Sequence, residues 1–433
     1  MSSHRTGFGL IAVVLGMALL GAGCGGGGGY GGGVIGQGGG SGFSLVREGA
    51  VIGASSTASA ELQELAVRLS AVLALGYNTT NADEVMRQLS GLNPSKPAAN
   101  LFVVDTREPA DFAKGHIPGA VNVPLQTLPQ ALLDGTSGIP SDKEVVVASY
   151  WGNDGNMASL LINIARVTDP AKPGSYPKST TIFQGMTAWS FDRTLVPTAT
   201  RFDDALGVVT VQKATEVTTH PGLDQSLFPV LAAFEPVTDT VAKRILVRAR
   251  EFFRSVSSQF ELHLYPKTLA AHLEDGSAAN DPQLLSVRSA ADYKAAHVPG
   301  AINIPYQSVA KLTEYTKYLN PGKPIAVYCY TGHTGALATM ALGILGYEPR
   351  NILYGINGWS TTAKSSGQLS NFDVNRGWDF PLHNTGDGIE TLAAYTPPST
   401  GCQGCHTSLT AIWTDLVKSP LASVPAPPSS GEG

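Results

Sequence analysis

The stretch Ile325-Ala326-Val327-Tyr328-Cys329-Tyr330-Thr331-Gly332-His333-Thr334-Gly335-Ala336 decides how this chain is read. Its apolar, β-branched run predicts a buried strand that stops at a cysteine. A short glycine-containing loop follows, and Ala336 to Leu345 predicts a helix. A thiol therefore sits at the rim between a strand and a helix start. Backbone N–H groups of such a loop, with the partial positive charge of the helix start, favour an anion at Cys329. A thiolate held there is a ready nucleophile. The competing reading is a small buried hydrophobe, as free cysteines frequently are.

The flanking segments decide between the two. Upstream lie Leu285-Ser286-Val287-Arg288 and His297-Val298-Pro299-Gly300-Ala301-Ile302-Asn303-Ile304-Pro305; downstream lies Tyr354-Gly355-Ile356-Asn357-Gly358-Trp359. This succession resembles the rhodanese (sulfurtransferase) family, with its D-x-R strand end, G-H-I-P-G-A-x-N-x-P turn, cysteine in a six-residue loop and G-x-x-x-W segment. The resemblance implies an α/β fold, a small mostly parallel sheet with helices on both faces. It also implies an enzyme whose loop cysteine takes the outer sulfur of a donor as a persulfide and passes it to cyanide or another thiol. In those terms Cys329 is catalytic, and Tyr330, Thr331, Gly332, His333 and Thr334 form the loop that offers N–H groups to substrate or anion. Thiosulfate-using members carry basic residues just after the cysteine, and many single-domain members close the loop with arginine. Here the only titratable base is His333, which reads either as a group able to take a proton near neutral pH and supply the positive charge or as a plain surface residue. The physiological donor is left open by that departure.

The pattern occurs twice. Leu101-Phe102-Val103-Val104-Asp105-Thr106-Arg107, the turn from Gly115 to Pro124, the strand Val145 to Ala148, the loop Ser149-Tyr150-Trp151-Gly152-Asn153-Asp154 and the segment Phe183 to Trp189 form a first copy. His297 minus His116 is 181 and Cys329 minus Ser149 is 180, so the register holds to one residue. Ser149 therefore stands where the second copy has Cys329. A hydroxyl without a nearby base is no sulfur acceptor, so the first copy is predicted to be silent. Asp105, Arg107 and Arg288 are expected to brace the strand ends, with Ser286 in place of the second aspartate. His116 and His297 read as hydrogen-bonded turn residues. Helical spacing predicts helices from Ala60 to Leu75, from Asn81 to Leu89, and from Val241 to Phe253. In the last of these, Lys243, Arg244, Arg248 and Arg250 read as a solvated face.

With 433 residues and 43% hydrophobic content the chain has room for two or three cored domains. A net charge of -5 shows no basic field, so nucleic acid is not an expected partner. The four cysteines, Cys24, Cys329, Cys402 and Cys405, form no disulfide scaffold. His4 and Arg5, the apolar run from Phe8 to Leu20, and Gly21-Ala22-Gly23-Cys24 read as a secretory signal. Its end resembles a bacterial lipobox, in which Cys24 would receive a lipid, although Gly21 stands where leucine is usual. Otherwise it is an ordinary signal peptide with an incidental cysteine. A glycine-rich coil runs from Gly25 to Gly42. By the lipoprotein resemblance, Gly25 in place of an aspartate favours the outer over the inner membrane.

The tail carries Gly401-Cys402-Gln403-Gly404-Cys405-His406, the C-x-x-C-H attachment signature of haem c. Cys402 and Cys405 would bond the porphyrin and His406 would ligate iron. No methionine follows Met340, and His383 is the candidate second ligand. A Cys402–Cys405 disulfide or a partial metal site are the alternatives.

The resulting division is a signal peptide (1–24), a tether (25–59), a silent rhodanese-like domain (60–195), a linker (196–240), an active-type domain (241–375) and a tail (376–433). The expected protein is a lipid-anchored sulfurtransferase of the cell envelope. Its partners would be a sulfur donor, a thiol or cyanide acceptor, the membrane through its N-terminal lipid and, with a haem present, multihaem cytochromes. Two other functions remain open: a non-enzymatic module of an electron-transfer complex, and a handler of selenium or tellurium oxyanions.

Overall fold

The computed structural model describes residues 53–55, 57–93, 95–166, 178–190, 192–196, 228–231, 240–273, 281–312, 319–321 and 323–359. Among them, β1 (Gly53–Ser55) pairs antiparallel with β7 (Phe228–Val230), joining the end of the predicted tether to the segment between the repeats. The other strands form two five-stranded sheets, one per repeat.

In the first sheet β2 (Thr79–Thr80), β3 (Leu101–Asp105), β4 (Val121–Asn122), β5 (Glu144–Ala148) and β6 (Ser179–Ile182) stand in the order β2-β6-β5-β3-β4. In the second β8 (His263–Leu264), β9 (Gln283–Ser286), β10 (Ile302–Asn303), β11 (Ile325–Tyr328) and β12 (Pro349–Ile352) stand in the order β8-β12-β11-β9-β10. The two arrangements correspond strand for strand. Every pairing in both sheets is parallel, so the connections cross over through helices. The α/β class expected from the motifs is the one observed.

Four helices bind the repeats together: α1 (Ala60–Ala74), α2 (Asn153–Arg166), α3 (Val241–Arg254) and α4 (His333–Ile344). α1 starts where the Ser59 hydroxyl accepts the Leu62 N–H at 3.1 Å, and it buries Leu62, Leu65, Leu69, Val72 and Leu73. α3 starts at Thr240, whose hydroxyl accepts the Lys243 N–H. Its arginines do not simply face water, as the sequence suggests. Arg248 is bidentate to Glu61 of α1 (2.8 and 2.9 Å from Nη2), and Arg244 pairs with Glu64.

Strand alternation then assigns the sheet faces. Val145 and Val147 of β5, with Ile325 and Val327 of β11, join Leu65, Leu161, Ile245, Phe252 and Leu337 in one core that runs through both repeats. Val146 and Ala148 face a separate outer core of the first repeat, and Ala326 and Tyr328 that of the second. One step beyond Val327 on the same face comes Cys329, which is part of the shared core. The candidate nucleophile therefore points toward the layer where the repeats meet.

Candidate active site

Cys329 follows β11 at the carboxyl end of the sheet, where open α/β sheets bind ligands. It is 1% exposed, and its Sγ accepts the Gly332 N–H at 3.1 Å. Gly332, at φ +87°, caps α4, so the helix begins at His333, three residues before the predicted start. His333 and Thr334 thus belong to its first turn. The G-x-x-x-W segment backs onto this loop: Ile356 N–H donates to the Cys329 carbonyl at 2.9 Å and Asn357 N–H to that of Tyr330 at 3.2 Å. At Gly355, φ +58°, a Cβ would lie 2.6 Å from the Cys329 carbonyl oxygen and 2.9 Å from the Gly332 nitrogen. That approach is open only to glycine.

The first repeat builds the same loop around a hydroxyl. Ser149 Oγ accepts the Gly152 N–H at 3.0 Å, and Met186 N–H donates to the Ser149 carbonyl at 2.8 Å. Tyr150 donates to Asp111 at 2.6 Å and accepts the Glu108 N–H at 3.1 Å. Tyr330 does the same with Asp292 and the Ser289 N–H (3.2 Å). Because the Ser149 loop shares this pairing, the Tyr330 hydroxyl serves the architecture of the loop. The motif asparagines tie the strand ends, with Asn122 Nδ2 donating to the Asp105 and Arg107 carbonyls and Asn303 Nδ2 to those of Ser286 and Arg288. His116 and His297 are turn residues as expected, each with Nδ1 on a backbone oxygen, of Phe112 (3.0 Å) and Tyr293 (2.8 Å).

The two loops meet reciprocally. A Cβ at Gly152 would lie 2.6 Å from His333 Nε2, and a Cβ at Gly332 would lie 2.6 Å from Asn153 Oδ1. Each glycine thus receives the residue that follows its counterpart in the other repeat. The His333 ring stacks on Phe183 of the first repeat (centroids 4.8 Å, 14°), and its Nδ1 lies 2.9 Å from the Thr331 hydroxyl. Burial pulls the His333 pKa down to about 3. The expectation that His333 carries positive charge near neutral pH is therefore corrected: the ring is neutral there, because it lies inside the seam. Thr331 and Thr334 are also buried, at 7% and 6% exposure.

Asp154, aligned with Thr334, is wholly buried, and burial raises its carboxyl pKa to about 6. Tyr77, in the loop after α1, is 38% exposed and meets Tyr306 edge-on (6.2 Å). Burial raises its pKa to about 12, and the charges of Cys329, Tyr306 and Tyr330 add to the shift. A cavity of ≈ 20 Å³ bordered by Tyr77, Asn156 and Leu337 has room for about one water.

Asn153, Phe183 and Tyr77 escape the sequence reading, since all three come from the copy that lacks the thiol. The 180-residue offset aligns Asn153 with His333, but no residue pattern says that the loops touch. Cys24, His383, Cys402, Cys405 and His406 lie outside the described residues.

The Rhodanese-like domain family model matches residues 82–191 and 266–362. No curated protein matches the chain. Among solved structures, a thiosulfate sulfurtransferase from Pseudomonas aeruginosa is 15% identical at a TM-score of 0.24, over 71% of this chain and 49% of that one. The match thus spans about half the length of the Pseudomonas protein. A probable thiosulfate sulfurtransferase is 19% identical at 0.23, over 61% of this chain and 96% of that one. A rhodanese-related protein from Thermoplasma volcanium is 18% identical at 0.19, over 25% and 87%. At such identities and scores the likenesses say nothing of activity. The matched ranges and the two parallel sheets with the same strand order lead to one conclusion: the chain carries two rhodanese-like domains in tandem.

Proposed function

We propose that the second repeat is a sulfurtransferase working through a persulfide on Cys329. The observation that carries this reading is the pair of matched loops. Ser149 fills the same place with the same N–H bond as Cys329, so the fold does not need a thiol there. In the reaction, the Cys329 thiolate attacks the outer sulfur of a donor. The new S–S bond forms as the donor's own bond to that sulfur breaks, and its electron pair leaves with the departing anion. Cyanide or an acceptor thiolate then attacks the outer sulfur of the persulfide, and the electron pair of that S–S bond returns to Sγ. No external oxidant or reductant is consumed. The Gly332 N–H and the start of α4 stabilise the charge on sulfur.

The loop has no lysine or arginine, and His333 is neutral. A leaving group with two charges, such as the sulfite from thiosulfate, finds no cation in the loop. A low-molecular-weight persulfide, whose leaving thiolate carries one charge, suits a loop that offers only N–H groups better. The purified full chain should form thiocyanate from cyanide faster with a thiol persulfide than with thiosulfate. Loss of all turnover in Cys329→Ser is expected. Equal turnover of wild type and Cys329→Ser contradicts the proposal.

We further propose, from the sequence, that the enzyme works in the cell envelope, anchored through Cys24. In the tail, Cys402, Cys405 and His406, with His383, would hold a haem c that passes electrons to multihaem cytochromes. Expression with export and haem-attachment machinery tests the haem. A Soret band lost in a Cys402→Ala/Cys405→Ala variant supports it, and a colourless protein with a Cys402–Cys405 disulfide contradicts it.

A further inference from the structure

The helix that opens each repeat reaches across to the other. α1 packs against the Tyr306–Ser308 turn of the second repeat, and α3 against the Leu128–Leu133 helix of the first. The connection after each helix therefore passes the other repeat's loop, and the two connections differ in length. Eight residues, 255–262, join α3 to β8, whereas four, 75–78, join α1 to β2.

The longer connection covers the Ser149 loop. The Val256 carbonyl accepts Gln126 Nε2 at 3.3 Å, and Gln259 Nε2 donates to the Glu108 carboxylate at 3.2 Å. The Phe260 ring lies 5.0 Å from that of Tyr150 and 5.9 Å from that of Trp151. Beneath it Leu125 and Tyr150 are both 0% exposed. The shorter connection brings a glycine instead, and a Cβ at Gly76 would lie 3.8 Å from the Tyr306 hydroxyl. Tyr306 aligns with Leu125 and Tyr330 with Tyr150, yet both are only half-buried. With Tyr77, whose ring meets Tyr306, they leave three partly bare phenol rings where the first repeat is sealed.

These rings gather at the end of the sheet that carries the thiol. Tyr306 packs against the shared core that contains Cys329. Its N–H donates to the Val287 carbonyl, and the Val287 N–H donates to that of Tyr328, the residue before Cys329. The Tyr330 ring is held in place by its hydroxyl on Asp292 and by the Arg288 guanidinium 5.4 Å from its centre. Fixed aromatic faces lose little freedom when a flat partner stacks on them.

We propose that Tyr77, Tyr306 and Tyr330 form the donor-binding face of the Cys329 site and select a sulfur donor with an aromatic ring beside its sulfur. The inference rests on the sulfur-transfer reading and adds a substrate class to it. In the first repeat Phe260 already stacks at the matching place, so no donor is received there.

The probes are benzenethiosulfonate and methanethiosulfonate, which carry the same charge and release the same kind of leaving group but differ by the ring. Calorimetric binding to the full chain carrying Cys329→Ser needs no turnover. The aryl probe should bind about tenfold more tightly than the methyl one. Tyr306→Leu, which installs the first repeat's residue, should remove most of that difference, and Tyr77→Ala serves should Tyr306→Leu fail to fold. With Cys329 present, the same preference should appear in kcat/KM for thiocyanate formation. Equal affinity for the two probes, or a preference unchanged in both tyrosine variants, overturns the proposal. A ring preference in binding without Cys329-dependent thiocyanate from either probe supports the tyrosine face and counts against the sulfur-transfer reading alone.

Discussion

Gly332→Ala puts one methyl group where the two repeats meet, and two separable costs follow. The first is conformational: Gly332 sits at φ +87°, and a side chain in the left-handed region costs about 1–2 kcal/mol. The second is steric. The new Cβ would lie 2.6, 2.7 and 2.8 Å from Oδ1, Nδ2 and Cγ of Asn153. Asn153 is 0% exposed, and overpacking of this kind costs about 1–3 kcal/mol. The sum is roughly 2–5 kcal/mol. Asn153→Ala removes the three atoms in question, so in that background Gly332→Ala keeps only its conformational cost. A double-mutant cycle by urea unfolding should therefore show a coupling of about 1–3 kcal/mol between residues of different repeats. Sulfur transfer should fall in Gly332→Ala, because the N–H held to Cys329 Sγ belongs to the altered residue. Effects that add to within about 0.5 kcal/mol would refute the contact between Asn153 of the first repeat and the Cys329 loop.

Two pH predictions come from buried groups. Burial raises Asp154 to about 6 from an unfolded value of 3.8, so the folded state holds that proton more tightly. Its contribution is complete below the unfolded value and is lost as pH rises through the folded one. Asp154→Asn should therefore be more stable than wild type above that range, by at most ~3 kcal/mol. The gap should close near pH ~4, and a pH-independent gap in urea unfolding contradicts the assignment. His333 has the opposite sign, with burial lowering it from 6.5 to about 3. It stabilises the fold above its unfolded value, and that stability is lost as pH falls. By NMR its ring should show no titration between about pH 5 and 8, and a midpoint near the unfolded value would place the ring in water.

What the sequence reveals and what it hides follow from which interactions are local. Strand period, the loop glycines and the two motif registers are local, so the central strands of each repeat (β3 and β5, β9 and β11) and the exchange of Ser149 for Cys329 can be read directly. The α4 start is missed because His333, Thr334 and Gly335 are weak helix formers, and the cap is a glycine at positive φ. The Arg248–Glu61 pair is missed because its members are 187 residues apart. An arginine on an amphipathic helix looks solvated until its neighbour is known. The neutrality of His333 is hidden for the same reason, since it depends on Gly152 and Phe183 of the other repeat.

The most direct test of the central claim is the mass of the Cys329 peptide after the full chain meets a thiol persulfide. The account predicts a gain of one sulfur atom on Cys329, removed by cyanide, with no gain on the Ser149 peptide or in Cys329→Ser. An unmodified Cys329 peptide, or sulfur that resides elsewhere and survives Cys329→Ser, would contradict it.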